Sequence, residues 1–506
     1  MRTKKALYNT ISGLIYEFVA LVCGLIIPRL ILKTFGSDYN GITNSIAQFL
    51  SCVVLLRAGI DGVTKVALYK PLADEDTEKL SRTIKAAEGF MRKVGILYIL
   101  AVLIFAVVYP FKFLDSFPWA FSATLVLILA ISSFMENYIG FTYQILLNAD
   151  QRYYVTFLAR TVSIIVNALL AYILIKLGGS IHVVKLGSAI AFSLSPIIFY
   201  VYAHKKYKIN KNVEPDNSVL KQRWDAVAHQ IAYFVNENTD IMVLSIFATL
   251  KDVSVYTVYH IVTRNVIRLL KSSTAGIGDA FGNMMAKKES KIISENFDVF
   301  ELVVFSLGTI LFTTTGIMIV PFVLVYTKGV TDAVYSRPLF ACILVLASFF
   351  NCIRIPYQHI VEIAGHFKQT KKGALVEAGL NIVISIAFVI KFGLIGVAIG
   401  TLVATIFRTL QYSIYMSKNI IQRKMWKPII HIIGSFGVFA LTLFFYQQIS
   451  NNVVYTGYWV WAFEAMKVFI IVCTLSLIKI ALFYRKQGAL ILSKLSNIKK
   501  DKKLKI

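Results

Sequence analysis

Long apolar runs, separated by short polar breaks, recur along the whole chain. A helix needs about 20 mostly apolar residues to cross a bilayer. Runs of that kind lie near 11–33, 42–68, 94–110, 119–147, 155–176, 183–203, 227–249, 254–283, 298–325, 338–363, 373–391, 395–416, 429–448 and 458–484. The pattern predicts an all-α polytopic membrane protein with about 14 transmembrane helices. An even number of spans leaves both termini on one side. The second and eighth runs are long, and their inner halves are polar.

The polar exceptions inside these runs carry more information than the runs themselves. A charge at the bilayer centre costs about 2.5–3.5 kcal/mol on insertion scales, so it normally faces protein or a water-filled cavity. The first span holds Glu17 and then Pro28-Arg29. Pro28 lacks a backbone donor and is expected to kink or loosen the helix. The second span holds Arg57, Asp61 and Lys65, whose i, i+4, i+8 spacing puts them on one helix face. The seventh contains VNENTDIMVLS at 235–245, with His229, Tyr233, Asn236, Glu237 and Asp240 on one broad face. The eighth has His260, Arg264, Arg268 and Lys271 on one face. Acids of spans one and seven are thus set to meet bases of spans two and eight.

Two carboxylates one turn apart, Glu237 and Asp240, suit the sharing of a proton or a cation. With Glu17, Asp61 and Asn236 they form the candidate ion-coupling or gating set. The plainer alternative makes these charges ion pairs that hold helices together. For Lys65 and Lys271, near inner helix ends, it makes them side chains reaching for headgroups.

Composition narrows the class. Of 506 residues, 57% are hydrophobic and only 16% charged, and mean hydropathy is +0.67. A soluble chain would carry about 25% charged residues. The net charge of +26 is distributed as membrane topology requires. About 34 of the 53 Lys and Arg fall in the N-terminus, 69–93, 148–154, 203–226, 284–297, 364–373, 417–428 and the tail from 485, against about 8 in the opposite loops. The positive-inside rule then puts both termini in the cytoplasm. The tail KLSNIKKDKKLKI is expected to lie on anionic headgroups. The same distribution, with no nucleic-acid-binding motif, argues against nucleic acid as a partner. MRTKK precedes a first helix with no small-residue cleavage site, so that helix is expected to be retained.

Catalytic and metal chemistry find little support. Cys23, Cys52, Cys342, Cys352 and Cys473 all lie in apolar runs without paired spacing. Metal-ligand clusters, phosphate-binding glycine loops and nucleophile–base motifs are absent, so no cofactor, no metal and no enzyme activity are expected. GIGDAFG and GLIGVAIG read as close helix packing. The outer loops are short and leave no room for a catalytic domain. His359 beside Arg354 is the sole residue that would suit an intramembrane acyltransferase.

An internal repeat follows from a shift of 217 positions, which aligns Tyr39 with Tyr256 and Ala58-Gly59-Ile60 with Ala275-Gly276-Ile277. A looser echo pairs 148–206 with 364–419. The expected division is a six-helix lobe over 1–210, a second over 211–425 in parallel pseudo-repeat, two additional helices over 426–484, and a basic tail over 485–506. Parallel repeats are one established transporter plan.

Several runs carry a family likeness: ILKTFGSDYNGI at 31–42, AGIDGVTKVALYKPLADED at 58–76, LNADQRYY at 147–154, and NENTDIMVLS with VYTVYHIV within 236–262. The strongest is AGHFKQTKKGALVEAGLNIVISIAFVIKFGLIGVAIGTLVATIFR at 364–408. In these runs the chain resembles the polysaccharide-transport (Wzx-type oligosaccharide flippase) family of the MOP superfamily. The resemblance implies two six-helix lobes plus two helices around a central cationic cavity. It also implies transfer of an undecaprenyl-pyrophosphate-linked oligosaccharide between leaflets of the bacterial cytoplasmic membrane by alternating access, with coupling to a proton or sodium gradient. Implied partners are that substrate, membrane lipids, and the polymerase and glycosyltransferases of the same pathway. By position in the matching spans, Arg29, Arg57, Arg264 and Arg268 take the cationic role, with Lys65 and Lys271 beside them. Tyr16, Tyr233, Tyr256 and Tyr259 are candidates to stack on sugar. The alternatives are a peptidoglycan-precursor flippase, a MATE-like cation or drug antiporter and, in another class, a polysaccharide polymerase or acyltransferase.

Overall fold

The computed structural model describes residues 2–210, 212–218, 224–274, 281, 284, 290–424, 426–450 and 453–490. Among them the regular structure is helical throughout, with no strand. Eleven helices are long and apolar enough to cross a membrane, or twelve when the bent pair Ser37–Leu56 and Ile60–Ala73 counts as one span. Helices also fill the positions of the seventh and eighth expected spans, Trp224–Phe247 and Leu250–Thr274. These two are long enough but too polar to qualify on apolarity, and they carry the charged faces noted above. Large apolar side chains such as Phe18, Ile104, Ile390 and Phe483 point outward. Lipid, which is as apolar as they are, leaves such a surface at no cost. The chain is a multi-pass membrane protein.

The backbone packs as two compact units. The first comprises residues 1–255 and 329–333. Its helices are α1 (Arg2–Phe35), α2 (Ser37–Leu50), α3 (Val53–Leu56), α4 (Ile60–Ala73), α5 (Thr77–Val108), α6 (Trp119–Met135), α7 (Phe141–Ala149), α8 (Tyr153–Lys176), α9 (Ile181–Lys206) and α10 (Trp224–Phe247). Helix α1 lies against α8, α8 against α9, and α10 against α2 and α3. The core is built from Ile42, Leu68, Met91, Leu125, Leu146 and Phe199, all buried. The segment Gly329–Ala333 joins this unit because Asp332 caps α2. Its carboxylate accepts from the Ser37 backbone N–H and from the Ser37 hydroxyl, both at 2.6 Å. A carboxylate at a helix N-terminus meets the positive end of the helix dipole.

Helix α11 (Leu250–Thr274) begins in the first unit and belongs to the second from Tyr256 on. The second unit continues with α12 (Ser290–Tyr326), α13 (Pro338–Ile353), α14 (Ile355–Ile363), α15 (Phe367–Phe392), α16 (Leu394–Asn419), α17 (Lys427–Ile449) and α18 (Tyr458–Phe483). GLIGVAIG behaves as expected: a Cβ on Gly396 or Gly400 would overlap Phe388 or Ser385, so α15 and α16 touch backbone to backbone. GIGDAFG and Ala275-Gly276-Ile277 lie almost wholly outside the described residues, as do 491–506 of the basic tail.

Ion pairs show which loops share an end of each unit. Lys5 Nζ and Arg152 Nε meet the Asp150 carboxylate at 3.0 and 2.5 Å, and the Tyr207 hydroxyl donates to it at 2.7 Å. The N-terminus, 148–154 and the segment after α9 therefore sit together. In the second unit Arg423 and Lys427 reach Asp298 at 3.3 and 2.6 Å, joining the start of α12 to the segment before α17.

One expectation changes at the level of single helices. Helix α1 runs continuously from Arg2 to Phe35 with Pro28 inside it. The second span, in contrast, is interrupted: its halves meet at 49°, and Gly59 at the break has φ +81°. Arg57 lies in this break, so it does not share a continuous face with Asp61 and Lys65. The amide of Gly59, left without a helical acceptor, donates to Gln230 Oε1 of α10 at 2.8 Å.

Candidate functional site

Within the first unit, two intramembrane charges, Glu136 and Arg160, face one polar cavity. Helix α6 ends in a π-helical turn, Glu136–Gly140, before α7 begins. Such turns widen the helix and often mark functional positions. The turn carries Glu136 toward α8, where Arg160 Nη2 donates to Glu136 Oε1 at 2.9 Å and to Gln144 Oε1 at 3.2 Å. Glu136 and Arg160 keep 46% and 33% of their side-chain surface exposed, so the pair is reachable rather than sealed in a core. They open on a cavity of about 310 Å³ lined also by Tyr16, Ser132, Ser133 and Ser195. Ser195 and Ser163 lie 2.6 Å apart through their hydroxyls.

Arg57 is held near this site by the helix break. Its guanidinium stands 4.3 Å above the ring of Phe141, and its charged neighbours are Glu136, Asp61 and Arg160. Planar guanidinium on an aromatic face leaves its edge donors free for an anion. Two arginines and two acids on four helical segments thus form a mixed-charge site.

The other candidate residues occupy distinct settings. Asp61 is exposed in the first turn of α4. Lys65 Nζ donates to the Tyr153 hydroxyl at 2.8 Å, which ties α4 to α8. Glu17 is exposed on α1, and Arg29 is half-buried near its end. On α10, Asp240 is buried and Glu237 half-buried; the side chains of His229, Tyr233 and Asn236 lie outside the described residues. Between them, Asn238 accepts from Gln48 of α2. Arg264, Arg268 and Lys271 are exposed along α11, in the second unit. The acids of α10 and the bases of α11 therefore fall in different units.

Two sequence readings are corrected. Tyr256 and Tyr259 are 2% and 0% exposed, and the Tyr259 hydroxyl donates to the Tyr335 carbonyl at 2.7 Å. They are packing residues with no face left for sugar. Arg354, paired in the sequence reading with His359, instead bonds Glu377 at 2.7 Å. Among the described residues His359 Nδ1 has no hydrogen-bond partner of the kind that orients a general base.

Sequence reasoning missed Glu136 and Arg160. The signal was present: both are charges inside apolar runs, at 119–147 and 155–176. It likewise missed the cluster in which Arg354 and Arg408 flank Glu377, at 2.7 and 3.4 Å. There Arg408 also bonds the Thr370 carbonyl and the Tyr412 hydroxyl, at 3.0 and 2.7 Å. All three residues are nearly inaccessible, and this cluster is a structural lock. All five cysteines are free, and no metal-binding group of three residues occurs among the described residues.

Solved structures share this architecture. One is the lipid II flippase MurJ in an inward closed conformation, with TM-score 0.73 and 16% identity over 94% of this chain and 99% of that one. A second is an inward-facing multidrug resistance MATE family transporter of the MOP superfamily, with TM-score 0.61 and 14% identity over 79% and 95%. A third is a eukaryotic MATE transporter, with TM-score 0.57 and 15% identity over 84% and 96%. The chain has the fold of these transporters. No protein-family model matches its sequence, and no curated relative matches it.

Proposed function

We propose that the chain is a flippase of the bacterial cytoplasmic membrane with both termini in the cytoplasm. Its cargo is an undecaprenyl-pyrophosphate-linked oligosaccharide, moved to the outer leaflet by alternating access for surface polysaccharide synthesis. The observation that carries this reading is Arg160 at a polar cavity within reach of water, with a second intramembrane arginine, Arg57, among its charged neighbours. A diphosphate is an anion whose oxygens match the guanidinium fork. Arg264 and Arg268, exposed on α11, supply the same chemistry in the second unit, with Arg29, Lys65 and Lys271 adding positive charge. Glu17, Asp61, Asn236, Glu237 and Asp240 are proposed to couple transport to a proton or sodium gradient. The polymerase and glycosyltransferases of the pathway are its proposed partners.

The test is replacement of Arg264 and Arg268 by Ala in a strain that depends on the chain for its polysaccharide. Loss of surface polymer at normal protein level is expected; normal polymer would refute the cationic assignment. A MATE-like antiporter of cationic drugs calls for an acidic, aromatic site, and drug resistance on expression separates that reading. A peptidoglycan-precursor flippase needs the same diphosphate chemistry, so complementation of a strain lacking that activity distinguishes the two cargoes.

A further inference from the structure

Arg160 differs from the structural arginines of the chain in how few of its donors are used. Arg408 engages Glu377 through Nε at 3.4 Å, the Thr370 carbonyl through Nη1 at 3.0 Å and the Tyr412 hydroxyl through Nη2 at 2.7 Å. Arg423 reaches Ser417 through Nε at 3.5 Å and Glu301 through Nη1 and Nη2 at 2.6 and 2.5 Å. Every nitrogen of these two side chains is engaged, and both are 4% exposed. Arg160 uses one nitrogen. Its Nη2 donates to Glu136 Oε1 at 2.9 Å and to Gln144 Oε1 at 3.2 Å. Among the described residues its Nε and Nη1 make no bond.

A guanidinium meets phosphate oxygens through two parallel N–H donors. Its fixed fork offers two such edges, Nε with Nη2 and Nη1 with Nη2. Both edges include Nη2, and the two hydrogens of Nη2 are held by Glu136 and Gln144. An anion can therefore grip Arg160 at two points only by displacing one of these neighbours. Displacing Glu136 exchanges one anion for another. Displacing Gln144 leaves the anion against the Glu136 carboxylate, and like charges repel. By either route an incoming phosphate competes with Glu136.

The surroundings let this pair open. Both side chains line the cavity, and nearly half of the Glu136 side chain is exposed. The backbone beneath it is packed: a Cβ on Gly140, at the far end of the same π-helical turn, would come within 3.0 Å of the Pro196 Cα of α9. Release of Arg160 is thus a rotation of the Glu136 side chain into the cavity, and no helix has to move. Glu377 and Arg408, at 8% and 4% exposure, have no such room. We propose that Glu136 is a resident stand-in for the cargo anion, holding Arg160 between transport events, yielding it to a diphosphate and taking it back as the cargo leaves. The proposal rests on the diphosphate reading of this cavity. A carboxylate that competes for the same donors lowers affinity and speeds release, and a transporter has to release its cargo as well as bind it.

The experiment measures binding of a short-chain prenyl diphosphate to the full chain in detergent by titration calorimetry. The same proteins in liposomes are then assayed for transfer of a polyprenyl-diphosphate oligosaccharide. Glu136→Gln keeps the shape and an acceptor oxygen but removes the charge, so it competes as a neutral group. It is expected to bind the probe roughly tenfold more tightly than wild type and to transfer saturating cargo more slowly. In an Arg160→Gln background the same substitution is expected to leave binding unchanged, because the contested donors are gone. Equal or weaker binding by Glu136→Gln, with binding still lowered by Arg160→Gln, would overturn the proposal and leave the diphosphate reading in place. The same tightening in the Arg160→Gln background would overturn it too, as a general effect of removing negative charge. So would undiminished transfer of saturating cargo by Glu136→Gln. Absence of probe binding to the wild type and to both single variants would sink the diphosphate reading itself, and this proposal with it.

Discussion

Glu377 pairs with two arginines, Arg354 and Arg408, in a nearly inaccessible cluster. Removing one partner of a buried ion cluster costs about 3–5 kcal/mol. Glu377→Ala is therefore expected to lower the unfolding temperature sharply, as read by thermal denaturation in detergent, while Glu136→Ala at its half-exposed cavity lowers it little. Asp150, outside the spans, offers a pH signature. Burial pushes its carboxyl up, but hydrogen bonds from Tyr207, Arg152 and Lys5 outweigh that and hold it below the ordinary carboxylate range. A carboxyl lowered in the folded state stabilises above its unfolded pKa, and that contribution is lost as pH falls through the folded one. Asp150→Asn is expected to be less stable than wild type at neutral pH, with the gap closing in acid; a gap independent of pH would refute this. Such residues were only partly legible in the sequence. Spacing along one helix reveals Glu237 and Asp240, whereas Glu136 with Arg160 and Glu377 with Arg408 are single charges whose meaning comes from a neighbouring helix.

The break in the second span shows the same limit for helices. Arg57, Asp61 and Lys65 have helical spacing, yet the chain turns at Gly59 and only Asp61 with Lys65 stay on one helix. Gly59 takes a left-handed conformation that costs other residues about 1–2 kcal/mol. Gly59→Ala is expected to straighten or strain this segment and move Arg57 off Phe141, reducing transport more than protein level; equal transport per molecule would show that the bend has no role. Other features were legible because they depend on local sequence alone: the apolar runs, the close approach in GLIGVAIG, and the polar character of α10 and α11. The looser repeat has a structural echo. The fifteenth residues of α8 and α15, Asn167 and Asn381, are both buried asparagines whose Oδ1 lacks a partner.

For the chain as a whole, apolarity and the rhythm of its breaks were enough to read a polytopic helical membrane protein. The structure adds contacts that put the N-terminus, 148–154 and the segment after α9 at one end of the first unit. These are segments that the positive-inside rule assigns to the cytoplasm. Single cysteines introduced there, for instance Asn9→Cys and Lys208→Cys, are expected to resist a membrane-impermeant thiol reagent in intact cells and to react after permeabilisation. Labelling in intact cells would invert the topology. Transport of an anionic lipid-linked saccharide is the central claim, and its direct test is reconstitution in liposomes. A fluorescent polyprenyl-diphosphate oligosaccharide is placed in both leaflets, and its transfer is followed by the fraction open to an external quencher. Wild-type protein is expected to expose the whole pool, and Arg160→Gln to slow that exchange roughly tenfold or more, the worth of one charge-assisted contact to phosphate. No exchange by the wild type under an imposed proton or sodium gradient, or full-rate exchange by Arg160→Gln, would contradict the account.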